Sequence, residues 1–219
     1  MDIMLSGIDI VRITIVLGVI LISMTLHEAM HGFMAYWLGD DTAKHSGRLT
    51  FNPIKHIDPF MTILLPLILA ISGMPVFGGA KPVPFNPNNL KYGEWGAALV
   101  AFAGPFVNLL IAFIGFMAYA SIMPASQSMA AIVLASLVTV NLGFFVFNII
   151  PIPPLDGSRV LYALAPDFAR RAMEAIEQFG VIFIFLIVML ASPLISTFMG
   201  TAITIILRIF SNIFGISVT

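Results

Sequence analysis

Residues 10–38 read IVRITIVLGVILISMTLHEAMHGFMAYWL, an apolar run that carries His27, Glu28 and His31 in its second half. A bilayer-spanning helix needs about 20 mostly apolar residues, and this run exceeds that. Histidines four apart project from one face of a helix, so both rings can reach a single ion. Neutral imidazole is a favoured zinc ligand. Glu28, beside the pair, can face an open coordination position and take a proton from water. Charged groups inside a span cost roughly 2.5 kcal/mol or more each, and no structural need accounts for three ionisable groups there. The run therefore predicts both a membrane helix and a metal site within it.

Composition widens the first expectation to the whole chain. Of its 219 residues, 59% are hydrophobic and 10% charged, and the mean hydropathy is +1.03. A soluble domain is nearer half apolar and a quarter charged. Ten Lys and Arg against eleven Asp and Glu leave a formal charge of −1, which sets up no field for nucleic acid. Cysteine is absent, so disulfides and thiolate metal sites are excluded. The expected class is an all-α polytopic membrane protein forming a single domain over 1–219, with the catalytic core at about 10–160 and C-terminal helices at about 178–216.

Five stretches have the length of a span: Ile10 to Leu38, Trp95 to Ile122, Met129 to Ile150, Phe179 to Leu194 and Ile195 to Ile216. Ser192-Pro193 alone divides the last two. Pro59 to Phe77 is apolar but is interrupted by Pro66 and ended by Gly73, Pro75, Gly78 and Gly79, which fits a re-entrant segment shielded by protein. The N-terminus lacks a basic leader and a small-residue cleavage site, so the first helix is expected to be retained. Gly47 to Asn52 and Ala80 to Asn86 read as short extended or β-like loops, because their turn formers and prolines forbid helix. The piece after Pro151 turns helical, with Pro166 and Asp167 suited to a helix start, and is expected at the membrane surface.

Two histidines are an incomplete set, because catalytic zinc usually has three protein ligands. His45, His56, Asp58, Glu94 and Asp156 are the candidates for the third. Asp156 is preferred: it follows three prolines that stiffen the exit of an apolar helix, and Gly157 allows a sharp turn beside it. Its alternative is a cap on the following helix. Asn148 can donate to a developing oxyanion or end its helix. Asn108 and Asn141 suit interhelical hydrogen bonds.

These residues resemble the site-2 protease family of intramembrane zinc metalloproteases (peptidase family M50). The marks are His27-Glu28-Ala29-Met30-His31 and Asn148-Ile149-Ile150-Pro151-Ile152-Pro153-Pro154-Leu155-Asp156-Gly157. Gly104-Pro105-Phe106-Val107-Asn108 and Asn52-Pro53 through His56-Ile57-Asp58-Pro59 extend the likeness, in the manner of the compact bacterial and archaeal branch without a PDZ domain. The resemblance implies one Zn2+ held by His27, His31 and Asp156, with Glu28 as the base and Asn148 at the substrate or oxyanion. It also implies a substrate that is another protein's transmembrane segment, in a prokaryotic cell membrane. A metal- or proton-coupled transporter and a catalytically inactive helix-binding relative are the rival readings.

The three ligands also fix an expected topology. The histidines lie late in the first helix and Asp156 just beyond the Met129 to Ile150 helix. If they meet, those helices run parallel, which requires an odd number of crossings between them. Pro59 to Phe77 must then dip and return. Lys44, Arg48, Lys55, Lys81, Lys91, Arg159, Arg170 and Arg171, eight of the ten basic residues, then share one side. By the bias of basic loops that side is the cytoplasm, with the metal toward it and the N-terminus outside.

Overall fold

The computed structural model describes residues 7–73, 78–125 and 127–215. Two stretches with the length of a span become α1 (Gly7–Trp37) and α4 (Gly93–Ile122), and a third becomes α5 (Met129–Asn148). Between α1 and α4 lie the single turn α2 (Thr42–His45), π-helical turns at Pro59–Leu64 and the short α3 (Leu65–Ile71). After α5 come α6 (Gly157–Leu164), α7 (Asp167–Glu177) and α8 (Gly180–Phe214). Among the described residues, four helices are long and apolar enough to cross a membrane. Their outward residues suit lipid. On α8, Leu186, Leu190, Leu194, Ile205, Ile209 and Ile213 are all exposed, which water would not tolerate over such an area.

The last two stretches meet within α8 at a kink, where the backbone of Ala191 is non-helical (φ −109°, ψ 17°), beside the expected division at Ser192-Pro193. Pro193 removes one intrahelical donor there. One expectation is corrected here. No β-strand forms among the described residues. Ala80 to Asn86 is extended, but three of its donors are already engaged: Lys81 N–H bonds His56 O, Val83 N–H bonds Glu28, and Asn86 N–H bonds Asp40. Pro82 and Pro84 have no N–H at all.

Small residues set the closeness of the bundle. Ala97, Ala101, Gly104, Asn108, Ala112 and Gly115 lie along the buried side of α4. Such a stripe lets helix backbones approach without a hydrophobic driving force between them. At one end Ala35, Leu90, Ala97 and Val100 form a core cluster; at the other Ala112, Val138, Leu142 and Phe210 do. Lys91 N–H donates to Leu38 O at 2.9 Å, where α1 finishes and α4 is about to begin, so these two helices run antiparallel. Asn108 meets Asn141, and Gly115 faces Val138, so α5 is antiparallel to α4 and parallel to α1.

The excursion between α1 and α4 returns to its starting point. Thr62 Oγ1 donates to Gly79 O at 2.7 Å, and Gly79 N–H donates to Met61 O at 3.1 Å. Pro59 to Ile71 rises only about 20 Å at helical pitch. Part of the expected dipping segment, 74–77, lies outside the described residues.

Beyond α1 the chain is fastened by buried Asp40. Its carboxylate accepts from Thr42 Oγ1 at 2.6 Å, Asn86 N–H at 2.7 Å and Asn89 Nδ2 at 3.0 Å. Burial acts to raise this carboxyl's pKa, but the donors outweigh it and hold it below the usual carboxylate range.

Candidate metal centre

His27 and His31 lie one turn apart on α1 with ring centroids 4.6 Å apart, edge to face. Each ring is oriented through Nδ1. His31 Nδ1 lies 2.7 Å from Val100 O, which can only accept, so that nitrogen carries the proton. Val100 sits in the turn that Pro105 loosens, since Pro105 offers Ala101 O no donor. His27 Nδ1 lies 2.6 Å from Asn108 Oδ1. Both Nε2 atoms are therefore left with lone pairs, and both point at Asp156. Oδ2 of that residue is 3.1 Å from His27 Nε2 and 3.5 Å from His31 Nε2.

Three acceptor atoms facing one another in a buried place repel unless a cation lies among them, either a metal ion or a proton on one Nε2. Asp156 Oδ2 is buried and has no hydrogen-bond donor. Tetrahedral ligands about 2.0–2.2 Å from zinc lie about 3.4 Å from each other, which the observed separations match. The donor set of two imidazoles and a carboxylate also suits Zn2+.

Local sequence explains how Asp156 arrives. Ile150 to Leu155 leaves α5 through three prolines, and Asp156 stands just before α6, where its side chain makes no capping bond. Gly157 is required for a reason other than the expected turn. A Cβ there would overlap Ile149 O and lie 2.9 Å from Ile150 O, so glycine permits backbone contact. A second glycine shapes the other wall: a Cβ on Gly104 would lie 2.7 Å from His27 Nε2 and closer still to His31 Nε2.

Glu28 stands beside the pair. One ligand atom from each of His27, Glu28 and His31 lies within 4.8 Å of the others. Glu28 Oε2 accepts from Val83 N–H at 2.9 Å, which aims the carboxylate. Arg48, itself buried, holds that segment by donating to Lys81 O at 2.8 Å and Pro82 O at 3.1 Å, and also to Lys55 O.

The other candidates have different positions. His45 is exposed and bonds Asp41 O within its own turn. His56 is fully buried with Nε2 on Thr50 O at 2.8 Å. Asp58 caps the π-helical turns through Phe60 N–H and Met61 N–H. Glu94 occupies the first turn of α4. Asn148 ends α5, and its amide donates to Phe144 O at 3.0 Å, which leaves a second N–H.

Sequence reading gives Val83, Arg48 and Gly104 no role at the site. A backbone N–H has no side-chain signature, and a glycine's purpose depends on which rings face it. Asn108 and Asn141 do make the expected interhelical bonds, but their link to His27 is visible only in three dimensions.

A family model described as Peptidase family M50 matches residues 116–192, from the last turns of α4 through the Asp156 loop into α8. A Bacillus subtilis (strain 168) protein named "Putative zinc metalloprotease YwhC" is 41% identical over 206 residues, 89% of this chain and 90% of its own length. A Mycolicibacterium smegmatis protein of the same description, Rip2, is 30% identical over 174 residues, 79% of this chain and 65% of its own. Rip2 of Mycobacterium tuberculosis (strain H37Rv) is 30% identical over 181 residues, 82% and 68% of the two chains. No solved structure matches. The convergent acceptors, the apolar helices and these relatives lead to one conclusion: the chain belongs to peptidase family M50 and is a membrane-embedded zinc metalloprotease.

Proposed function

We propose that this protease cuts within the membrane, hydrolysing a peptide bond in a transmembrane segment of another protein. The observation that carries the reading is the orphaned Asp156 Oδ2 against two imidazole lone pairs, inside a bundle whose outer faces are apolar. In this reading His27, His31 and Asp156 hold Zn2+. When bound, zinc supplies Lewis acidity that makes water nucleophilic at neutral pH. Glu28, aimed by Val83 N–H, accepts the proton from that water at its second carboxylate oxygen and delivers it to the leaving amine. Asn148 offers its unengaged N–H to the carbonyl oxygen as charge develops there. The substrate helix must unwind first, because an intact helix hides its carbonyls in its own hydrogen bonds.

The Glu28→Gln variant tests the reaction. The amide it introduces keeps an acceptor for Val83 N–H but cannot take a proton. Zinc content should stay at one per chain while cleavage of a reconstituted transmembrane substrate falls about 10²–10⁴-fold. Retained cleavage would refute the assignment, and loss of zinc would show that Glu28 is itself a ligand.

We place the site toward the cytoplasm and the N-terminus outside. The parallel run of α1 and α5 and the closed excursion from Pro59 to Gly79 put eight of ten basic residues at one end of the bundle. The chain has no cysteine of its own, so single introduced cysteines report cleanly. Lys81→Cys and Ala125→Cys should label from opposite faces, Lys81→Cys from the cytoplasmic one. Labelling from the same face, or in the reverse sense, would overturn the topology.

A further inference from the structure

The most buried polar cluster in the bundle lies outside the ligand set. Ser23, Asn108 and Asn141, from α1, α4 and α5, are each fully buried. Their hydrogen bonds form a chain of fixed polarity. Leu137 O is a backbone carbonyl and can only accept, so Asn141 must turn its amide nitrogen toward it, at 2.8 Å. The same nitrogen lies 2.9 Å from Ser23 Oγ. Asn141 Oδ1 then faces Asn108 and accepts from its Nδ2 at 2.8 Å. With its nitrogen so engaged, Asn108 presents Oδ1 to His27 Nδ1 at 2.6 Å. His27 must therefore protonate Nδ1 and leave Nε2 bare. The only other contact favouring this Asn108 orientation among those described is Nδ2 to Ser23 O, which at 3.4 Å is long for a hydrogen bond.

We infer that Asn141, two hydrogen bonds removed from the imidazole, is a positioning residue that locks His27 in its metal-binding tautomer. Without it Asn108 can rotate its amide, present N–H to His27 Nδ1 and select the tautomer with the proton on Nε2, which cannot ligate. Partners that orient ligating histidines typically account for 10–100-fold in metal affinity. The inference moves that lever one residue outward, onto a helix that carries none of the histidines. It rests on the zinc assignment of His27.

The test is zinc affinity of the full-length protein in detergent, by competition with a chromogenic chelator, for wild type, Asn141→Leu and Asn141→Asp. Leucine fills the space and removes the polarity anchor. Aspartate, ionised or protonated, still offers an oxygen to Asn108 Nδ2. The expected result is about 10–100-fold weaker zinc binding for Asn141→Leu and a value within about threefold of wild type for Asn141→Asp. Wild-type affinity in folded Asn141→Leu, or equal loss in both variants, would overturn the inference while leaving the zinc site standing. Should Asn141→Leu not fold, Asn141→Ala takes its place under the same criteria, and a loss above tenfold in Asn141→Asp overturns the inference. Wild-type protein that binds no zinc would instead refute the underlying site.

Discussion

Gly104→Ala protein is expected to fold, insert and bind zinc more than 100-fold more weakly than wild type, with proteolysis near background. Alanine is a better helix former than glycine, so α4 itself gains. The loss arises where the new methyl overlaps both Nε2 atoms. Neither ring has an easy retreat, because Val100 O holds His31 through Nδ1 and Asn108 holds His27. Metal sites tolerate displacements of about 0.2 Å in ligand distance, far less than the shift this overlap demands. If α4 moved away instead, the buried contacts of Ala97, Ala101 and Asn108 would open, at an overpacking cost of about 1–3 kcal/mol. Zinc titration and thermal unfolding together check this. Full zinc occupancy with unchanged stability would mean that α1 and α4 do not approach as closely as described.

Asp156→Ala should lose both zinc binding and proteolysis. On the proposed ligand set one of three protein ligands is gone, and affinity should fall by more than the roughly 10–100-fold typical of partners beyond the ligands. Without zinc, a proton on an imidazole Nε2 can lie between His27 or His31 and Asp156 Oδ2, so the substitution also removes a buried ion pair and should lower the stability of the metal-free protein at neutral pH. A helix-capping role would cost about 1 kcal/mol with or without zinc and leave zinc affinity unchanged. Zinc titration, with unfolding in the presence and absence of a chelator, separates the two.

How much the sequence discloses follows from the kind of physics involved. The H-E-x-x-H spacing is local, so helical periodicity alone puts His27 and His31 on one face. Asp156 is legible from the prolines that stiffen the exit of its apolar helix and from the family resemblance, and the parallel run of α1 and α5 follows once it is placed beside the histidines. Boundaries are less legible where proline acts. Pro193 reads as a division between spans, and the backbone leaves helical geometry beside it, at Ala191. Pro82 and Pro84 read only as helix breakers in an extended loop but frame a single N–H that Glu28 takes. Gly157 reads as a turn and is a contact. In each case the residue's local effect is legible, while its purpose depends on an atom distant in sequence or on which backbone lies beside it.

The chain of orienting bonds is hidden for a similar reason. Asn108 and Asn141 are ordinary as polar residues in apolar helices, where hydrogen bonding across helices is the default expectation. Only the carbonyl at Leu137, which cannot donate, gives their network a direction. Arg48 reads as a loop cation that marks the cytoplasmic side. In the structure it is buried among carbonyls and holds the segment that aims Glu28.

X-ray absorption at the zinc edge of purified wild-type protein interrogates the ligand set itself. The account predicts one zinc per chain, with scattering from two imidazoles and the remaining near neighbours oxygen, at about 2.0–2.2 Å. Substoichiometric metal, or a spectrum requiring three imidazoles and so recruiting His45 or His56, would contradict it.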